Sequence, residues 1–393
     1  MSCPDLRSMI AQLIAQPTVS SSGDPRLDTS NRAVIDLMAE WAEACGFAVR
    51  ICGVPDNPGK YNLIATLGDG PDGLVLGGHA DTVPWDANRW TFDPFEATER
   101  DGRLYGLGSC DMKSFLALSL EAGRQFADRK LARPLHLVVT ADEETTMSGA
   151  RALAGEGLQA AAAVIGEPTT LKPVRMHKGI FMERARLVGC SGHSSDPGYG
   201  NSALEGMYAV MGALLDLRKW LQAEHQNPEF RIPVPTLNLG QVHGGDNPNR
   251  ICGECELSYD LRLLPGMDTD TERERLHQRI RDAVAGTGLE LSFECLFQGT
   301  PPAETRADAP IIRAAEELTG TPAQAVAFGT EAAFYQRAGM DVLILGPGSI
   351  SQAHQPDEYI ALDYLDPTVE LLSGLIDRFC VQSATRQAAG LTA

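Results

Sequence analysis

The sequence predicts an α/β protein: a mixed sheet flanked by helices, interrupted by a smaller ferredoxin-like βαββαβ domain. Two observations carry the fold. Short apolar runs alternate with helical patterns up to about residue 175, as buried strands of an open sheet do. Beyond residue 180 the order becomes strand, helix, strand, strand, helix, strand, the split βαβ arrangement. A third observation concerns chemistry, because the apolar runs end in residues that bind metals or move protons. Run 74–78 leads to His79 and Asp81, the amphipathic stretch 103–109 to Asp111, and 135–140 to Asp142, Glu143 and Glu144. Run 161–165 leads to Glu167, and 342–345 leads through Gly-Pro-Gly to His354. Open sheets bind ligands at the carboxyl ends of their strands, so these side chains are expected to converge at one edge.

Taken in order, Leu6, Met9, Ile10, Leu13 and Ile14 share one helical face. Val34, Leu37, Met38, Trp41 and Cys45 mark a second helix, with Asp28, Thr29 or Ser30 available as its N-cap. Alternation at Phe47, Val49 and Ile51 and the run 63–67 read as strands, and helical patterns follow near 113–128 and 148–156. In the middle of the chain, strands are expected at 180–189, 236–242, 255–264 and 289–297, with helices at 201–222 and 269–285. The Pro- and charge-rich stretch 300–310 reads as a linker back to the first domain. The first domain is therefore expected to be discontinuous, 1–177 and 300–393, around an insert at 178–299. The final ten residues are expected to fray.

A chain of 393 residues can bury more than one core. Its formal charge of −19 argues against nucleic acid or an anionic membrane as partner. The amino terminus lacks a basic segment followed by an apolar core, and no apolar run approaches membrane-spanning length, so a cytoplasmic protein is expected. Nine cysteines without framework spacing fit reduced thiols. The pair Cys252-Gly-Glu-Cys255 matches C-x-x-C, but residues three apart on a strand face opposite sides, so small strand residues are the better reading.

His79 and Asp81 lie two apart in an extended segment, so the carboxylate can orient the imidazole, as partners of metal-binding histidines do. The competing reading is a satisfied strand-end histidine. Asp111 follows a glycine-containing turn and could equally be the N-cap of the next helix, while neighbouring Cys110 could be a soft ligand. Asp142, Glu143 and Glu144 would repel one another at a buried sheet edge unless cations or shared protons neutralise them. Adjacent side chains diverge, so one glutamate can bind metal while the other serves as a base. Together, two histidines and several carboxylates suit zinc, cobalt or manganese, and a shared Asp would allow two ions about 3.5–4 Å apart. No P-loop, G-x-G-x-x-G or G-x-S-x-G motif is present. In Ser191-Gly-His193-Ser-Ser, helix capping is a better reading of the serines than nucleophilic catalysis.

These residues resemble a known family, the two-zinc deacylases and aminopeptidase-like hydrolases, which includes acetylornithine deacetylases and succinyl-diaminopimelate desuccinylases. The resemblance spans about 5–380 and rests on six segments: 78–84, 105–113, 140–145, 166–169, 191–195 and 346–359. Segments beginning at His177, Asn249 and Asp260 are most similar to the acetylornithine deacetylase branch. The resemblance implies an aminopeptidase-like catalytic domain and a lid or dimerisation insert. It implies that His79, Asp111 and Glu167 hold one metal, and Asp111, Glu144 and His354 the other. Asp81 would orient His79, and Glu143 would be the general base. His193 would reach a second subunit's site, and Arg262 and Asn249 would grip the substrate carboxylate. Thr330 and Glu331 would line the pocket. The implied reaction is hydrolysis of N2-acetyl-L-ornithine in arginine biosynthesis, by a homodimer carrying two zinc (or cobalt) ions. Another acyl amino acid, such as acetylcitrulline or succinyl-diaminopimelate, is the rival substrate, and a noncatalytic association module is the rival class.

Overall fold

The computed structural model describes residues 3–21, 23–55, 57–86 and 88–381. The final ten residues, expected to fray, lie outside them. The chain divides into two compact units. The first comprises residues up to Arg175, Glu304–Gln324 and everything from Thr330; the second comprises Met176–Ala303 and Ala325–Gly329.

In the first unit a mixed sheet runs in the order Ala48–Gly53, Tyr61–Leu67, Leu135–Thr140, Gly73–His79, Ala160–Ile165, Asp341–Ile344. The outer two strands pair antiparallel, and the last four are mutually parallel. Parallel central strands are buried on both faces, which is why they read as unbroken apolar runs. On one face Leu74, Leu76, Leu137, Val139, Ala162 and Val164 share a core with Met9, Leu13, Phe115, Leu118 and Leu372. The opposite face, with Val75, Val138, Ala163 and Ile165, is buried as well. Four parallel strands necessarily end at the same edge, so the residues that follow them are brought together.

Local chemistry sets the flanking helices. Asp5 accepts the Ser8 amide at 3.1 Å and starts Leu6–Ile14. The helix Arg32–Ala44 starts differently from expectation. Asn31 occupies the cap position, and its side chain binds both backbone groups of Tyr61 instead. Asp28, one of the expected caps, goes to Lys60. The helix expected at 113–128 is Lys113–Arg124, and that at 148–156 is a five-residue helix followed by a 3-10 turn. The stretch 300–310 is not a free linker. It holds the short strand Ala303–Glu304, and the Thr305 hydroxyl bonds both backbone groups of Val342 before helix Pro310–Thr319 begins.

A small three-stranded sheet joins Tyr359–Ala361 to Arg103–Tyr105 and Thr98–Arg100. It ties the segment after His354 to the segment before Asp111, two stretches about 250 residues apart in sequence.

The second unit has the order strand, helix, strand, strand, helix, strand: Gly179–Val188, Ala203–Glu224, Thr236–Gly244, Glu254–Leu263, Thr269–Ala283, Glu290–Thr300. Its antiparallel sheet places the first strand between the third and the fourth, the ferredoxin-like order. In Glu254–Leu263 every second residue from Cys255 to Leu263 is buried, the alternation seen in the sequence. No disulfide joins any of the nine cysteines, all of which lie among the described residues. No helix among the described residues is long and apolar enough to cross a membrane.

Candidate metal centre

His79 closes the strand Gly73–His79, and its Nε2 lies 3.2 Å from Asp111 Oδ1. Its Nδ1 meets the backbone carbonyl of Asp81 at 3.0 Å, whereas the Asp81 carboxylate is 3.6 Å away. The ring is therefore oriented chiefly by a carbonyl rather than by the expected carboxylate. Asp81 Oδ1 and Oδ2 instead accept the amides of Glu143 and Glu144, each at 3.1 Å. One residue thus holds both the imidazole and the glutamate turn.

Asp111 is not a helix cap, since Met112 occupies that position without a side-chain bond. The loop carrying it is fixed by Glu358, whose carboxylate accepts the amides of Gly108, Cys110 and Asp111 at 3.0, 2.7 and 3.0 Å. Gly108 turns here at φ +78°, a conformation that favours glycine. Asp111 Oδ2 faces His354 Nε2 at 3.8 Å, and that nitrogen is 2.9 Å from Glu144 Oε2. Asp111 therefore has one oxygen toward each imidazole. Cys110 Sγ points to the Ser349 carbonyl at 3.5 Å.

Glu167 follows the strand Ala160–Ile165 through Gly166. A Cβ at Gly166 would sit 2.1 Å from the Phe115 ring, so glycine lets Glu167 pass close over the helix Lys113–Arg124. Glu167 Oε1 is buried with no hydrogen-bond partner among the described residues. A buried carboxylate oxygen without a donor is costly unless something else binds it. His79, Asp111 and Glu144 offer ligand atoms within 4.8 Å of one another. This mixture of imidazole and carboxylate fits a divalent cation of the zinc, cobalt or manganese type.

The electrostatics agree. Burial, then the charge of Glu167, pushes Glu143 well above the carboxylate range, with His79 opposing. Burial and Asp111 do the same to Glu167. Asp81, Glu331 and Glu358 are pushed up to about 6, 7 and 8, burial being the first cause in each. His354 rises to about 9 beside Glu144. So many buried acids need protons or cations. Asp142 is the exception among the three adjacent acids: it turns away to an ion pair with Lys60 at 2.8 Å.

Thr330 is buried, and its hydroxyl accepts the Ala332 amide. Trp85 stacks edge-on against Phe95 and, with Arg89, Trp90 and His354, lines a cavity of about 140 Å³. On the second unit, His193 is exposed in a loop that bridges Arg250, and its Nδ1 lies 2.8 Å from Ser195 Oγ. That serine holds the imidazole, and it does not cap a helix. Asn249 lies in the adjoining loop, where its carbonyl accepts the Ser194 amide. Arg262 lies on the strand Glu254–Leu263, 3.5 Å from Asp260. Sequence reasoning missed Glu358 and Lys60. Glu358 stood in plain view, four residues after His354, but nothing local marks a carboxylate that serves a loop 250 residues away.

Residues 75–378 match the family model of Peptidase family M20/M25/M40. Acetylornithine deacetylase of Edwardsiella ictaluri (strain 93-146) is 47% identical over 96% of this chain and 98% of its own. Those of Proteus mirabilis (strain HI4320) and Vibrio vulnificus (strain CMCP6) are each 46% identical, over 96% and 97% of this chain and 97% and 100% of theirs. Among solved structures, an M20 family metallo-carboxypeptidase from Sulfolobus solfataricus superposes with a TM-score of 0.76 at 17% identity, covering 96% of this chain and 99% of its own. A tripeptidase from Staphylococcus aureus gives 0.74 at 19%, covering 95% and 97%. At such low identity these two structures speak for the fold alone. The near-complete relatives and the family match lead to one conclusion: the chain belongs to Peptidase family M20/M25/M40.

Proposed function

We propose that this chain is a zinc-dependent amidohydrolase that cleaves N2-acetyl-L-ornithine to L-ornithine and acetate, a step of arginine biosynthesis. The observation that carries the chemistry is Asp111 set between His79 and His354, with a carboxylate oxygen toward each. The substrate follows from relatives of 44–47% identity that carry the name acetylornithine deacetylase.

In this reading His79, Asp111 and Glu167 hold one ion, and Asp111, Glu144 and His354 the other, with cobalt able to replace zinc. Two such ions would polarise the acetamide carbonyl and lower the pKa of water. Glu143 takes the proton of the attacking water and delivers it to the departing amine. Its burial beside Glu167 keeps its proton affinity high, which suits a group that must hold a proton between two steps. Asp81 keeps both His79 and the Glu143 turn in place through the bonds described above. Arg262 and Asn249 bind the substrate carboxylate, and Thr330 shapes the pocket wall. A second copy, joined through the second unit, supplies His193 as donor to the tetrahedral oxyanion. A cytoplasmic setting accords with nine cysteines that form no disulfide.

The test is a comparison of kcat/KM across acetylornithine, acetylcitrulline, succinyl-diaminopimelate and other acyl amino acids after metal reconstitution. Acetylornithine is expected to lead, and equal or better use of another substrate overturns the assignment. Glu143→Gln is expected to lower kcat about 10²–10⁴-fold. A variant as active as wild type would remove Glu143 as the base.

A further inference from the structure

Lys60 is 3% exposed, yet it is an ammonium at a strand entrance where an apolar residue would fill the space. Its Nζ lies 2.8 Å from Asp142 Oδ1 and 2.9 Å from Asp28 Oδ1. Asp142 is equally buried and also receives Ser20 Oγ and Ser148 Oγ, each at 2.9 Å, and Asn57 Nδ2. Four donors fill the acceptor sites of one carboxylate. The backbone at Asp142 is left-handed (φ +57°), and its carbonyl accepts the amides of Thr145, Thr146 and Met147. The next two amides, of Glu143 and Glu144, are held by Asp81. The glutamate pair thus stands on a turn pinned from behind by Asp142 and from the front by Asp81. The rear anchor carries a buried ammonium in direct contact, at 2.8 Å. Replacing a buried ion pair by apolar residues is often neutral for stability, so stability alone does not account for Lys60.

We propose that Lys60 is a positioning residue: acting through Asp142, it fixes the turn that presents Glu143 to the scissile amide and Glu144 to its ion. The inference rests on the roles given above to Glu143 and Glu144. It requires the charge of Lys60 only where Asp142 receives it.

The experiment uses the full-length protein and reads kcat, KM and the affinity for each ion by chelator competition, the last independent of turnover. Lys60→Met keeps the buried stem and removes the charge. It is expected to lower kcat and the affinity of the weaker-held ion at least about tenfold, the scale seen when supports of metal ligands are removed, with KM and the other ion little changed. Asp142→Asn should do the same, and the double variant should be no worse than the worse single, because both act on one turn. Smaller losses in Lys60→Met, equal weakening of both ions, or losses that multiply in the double variant overturn the proposal. Should Lys60→Met not fold, Ser20→Ala and Ser148→Ala carry the test, since each removes one donor to Asp142; unchanged kcat in both overturns it and a reduced kcat at constant KM supports it. Glu143→Gln is the reference. If that variant is active, the base assignment itself fails; if it is inactive while Lys60→Met behaves as wild type, only the present inference fails.

Discussion

Removing metal should make the stability of the first unit fall as pH rises through neutrality. Asp81, Glu331 and Glu358 hold protons up to about pH 6, 7 and 8 in the folded protein. In the unfolded chain such groups ionise near pH 4. A raised folded pKa means stability that is complete below the unfolded value and is lost as pH climbs through the folded one. Midway between pH 6 and 7 these three groups keep about two protons that the unfolded chain has released, a slope of about 2.7 kcal/mol per pH unit. Half-exposed His354 and buried Glu143 and Glu167 add contributions of the same sign, while His136, lowered by burial, and Lys113, pushed down to about 7 by burial and acting mainly above that pH, oppose. The first unit has roughly 260 residues, so its unfolding entropy is about 0.5 kcal/mol/K and the Tm should drop about 5 °C per pH unit. The assay is thermal unfolding of chelator-dialysed and metal-loaded protein between pH 6 and 7. The positive charge of bound cations would lower the proton affinity of these neighbouring acids in the loaded form, so its slope should be shallower. A chelated protein whose Tm is flat or rises over this range would refute the argument that buried like charges await cations.

Two further outcomes follow from the same geometry. Asp111→Ala should weaken both ions, whereas Glu167→Ala should weaken one, as measured by metal content after gel filtration; loss of a single equivalent in Asp111→Ala counts against a shared ligand. Gly166→Ala puts a methyl group into the Phe115 ring, so it should cost about 1–3 kcal/mol of stability by overpacking, read as a lower Tm, together with weaker metal retention through Glu167.

The central strands were legible because burial on both faces leaves contiguous apolar letters such as 74–78 and 135–140. The residues at their ends could be read once parallel strands were assumed, since parallel strands share one carboxyl edge. What stayed hidden depends on pairing across the chain. Asp28, Thr29 and Ser30 read as caps of the second helix, but Asn31 takes the cap position and its side chain goes to Tyr61, thirty residues later. Stretch 300–310 has linker composition, and the Thr305 bonds to Val342 are invisible until the sheet exists. Likewise Lys60 gives no hint of Asp142, and Asp81 was assigned to His79 because the Glu143 and Glu144 amides that it accepts are 62 and 63 residues away.

The small sheet that joins Tyr359–Ala361 to Arg103–Tyr105 has a consequence for synthesis. Ribosomes deliver the first half of the centre, His79 to Glu167, long before His354 and Glu358 emerge. Until that closing strand docks, the Asp111 loop has neither its carboxylate anchor nor its second imidazole. On the ligand set proposed above, a complete ion site would await the end of translation, and a chain cut short before residue 354 would lack the His354 imidazole and the Glu358 carboxylate that meet the Asp111 loop.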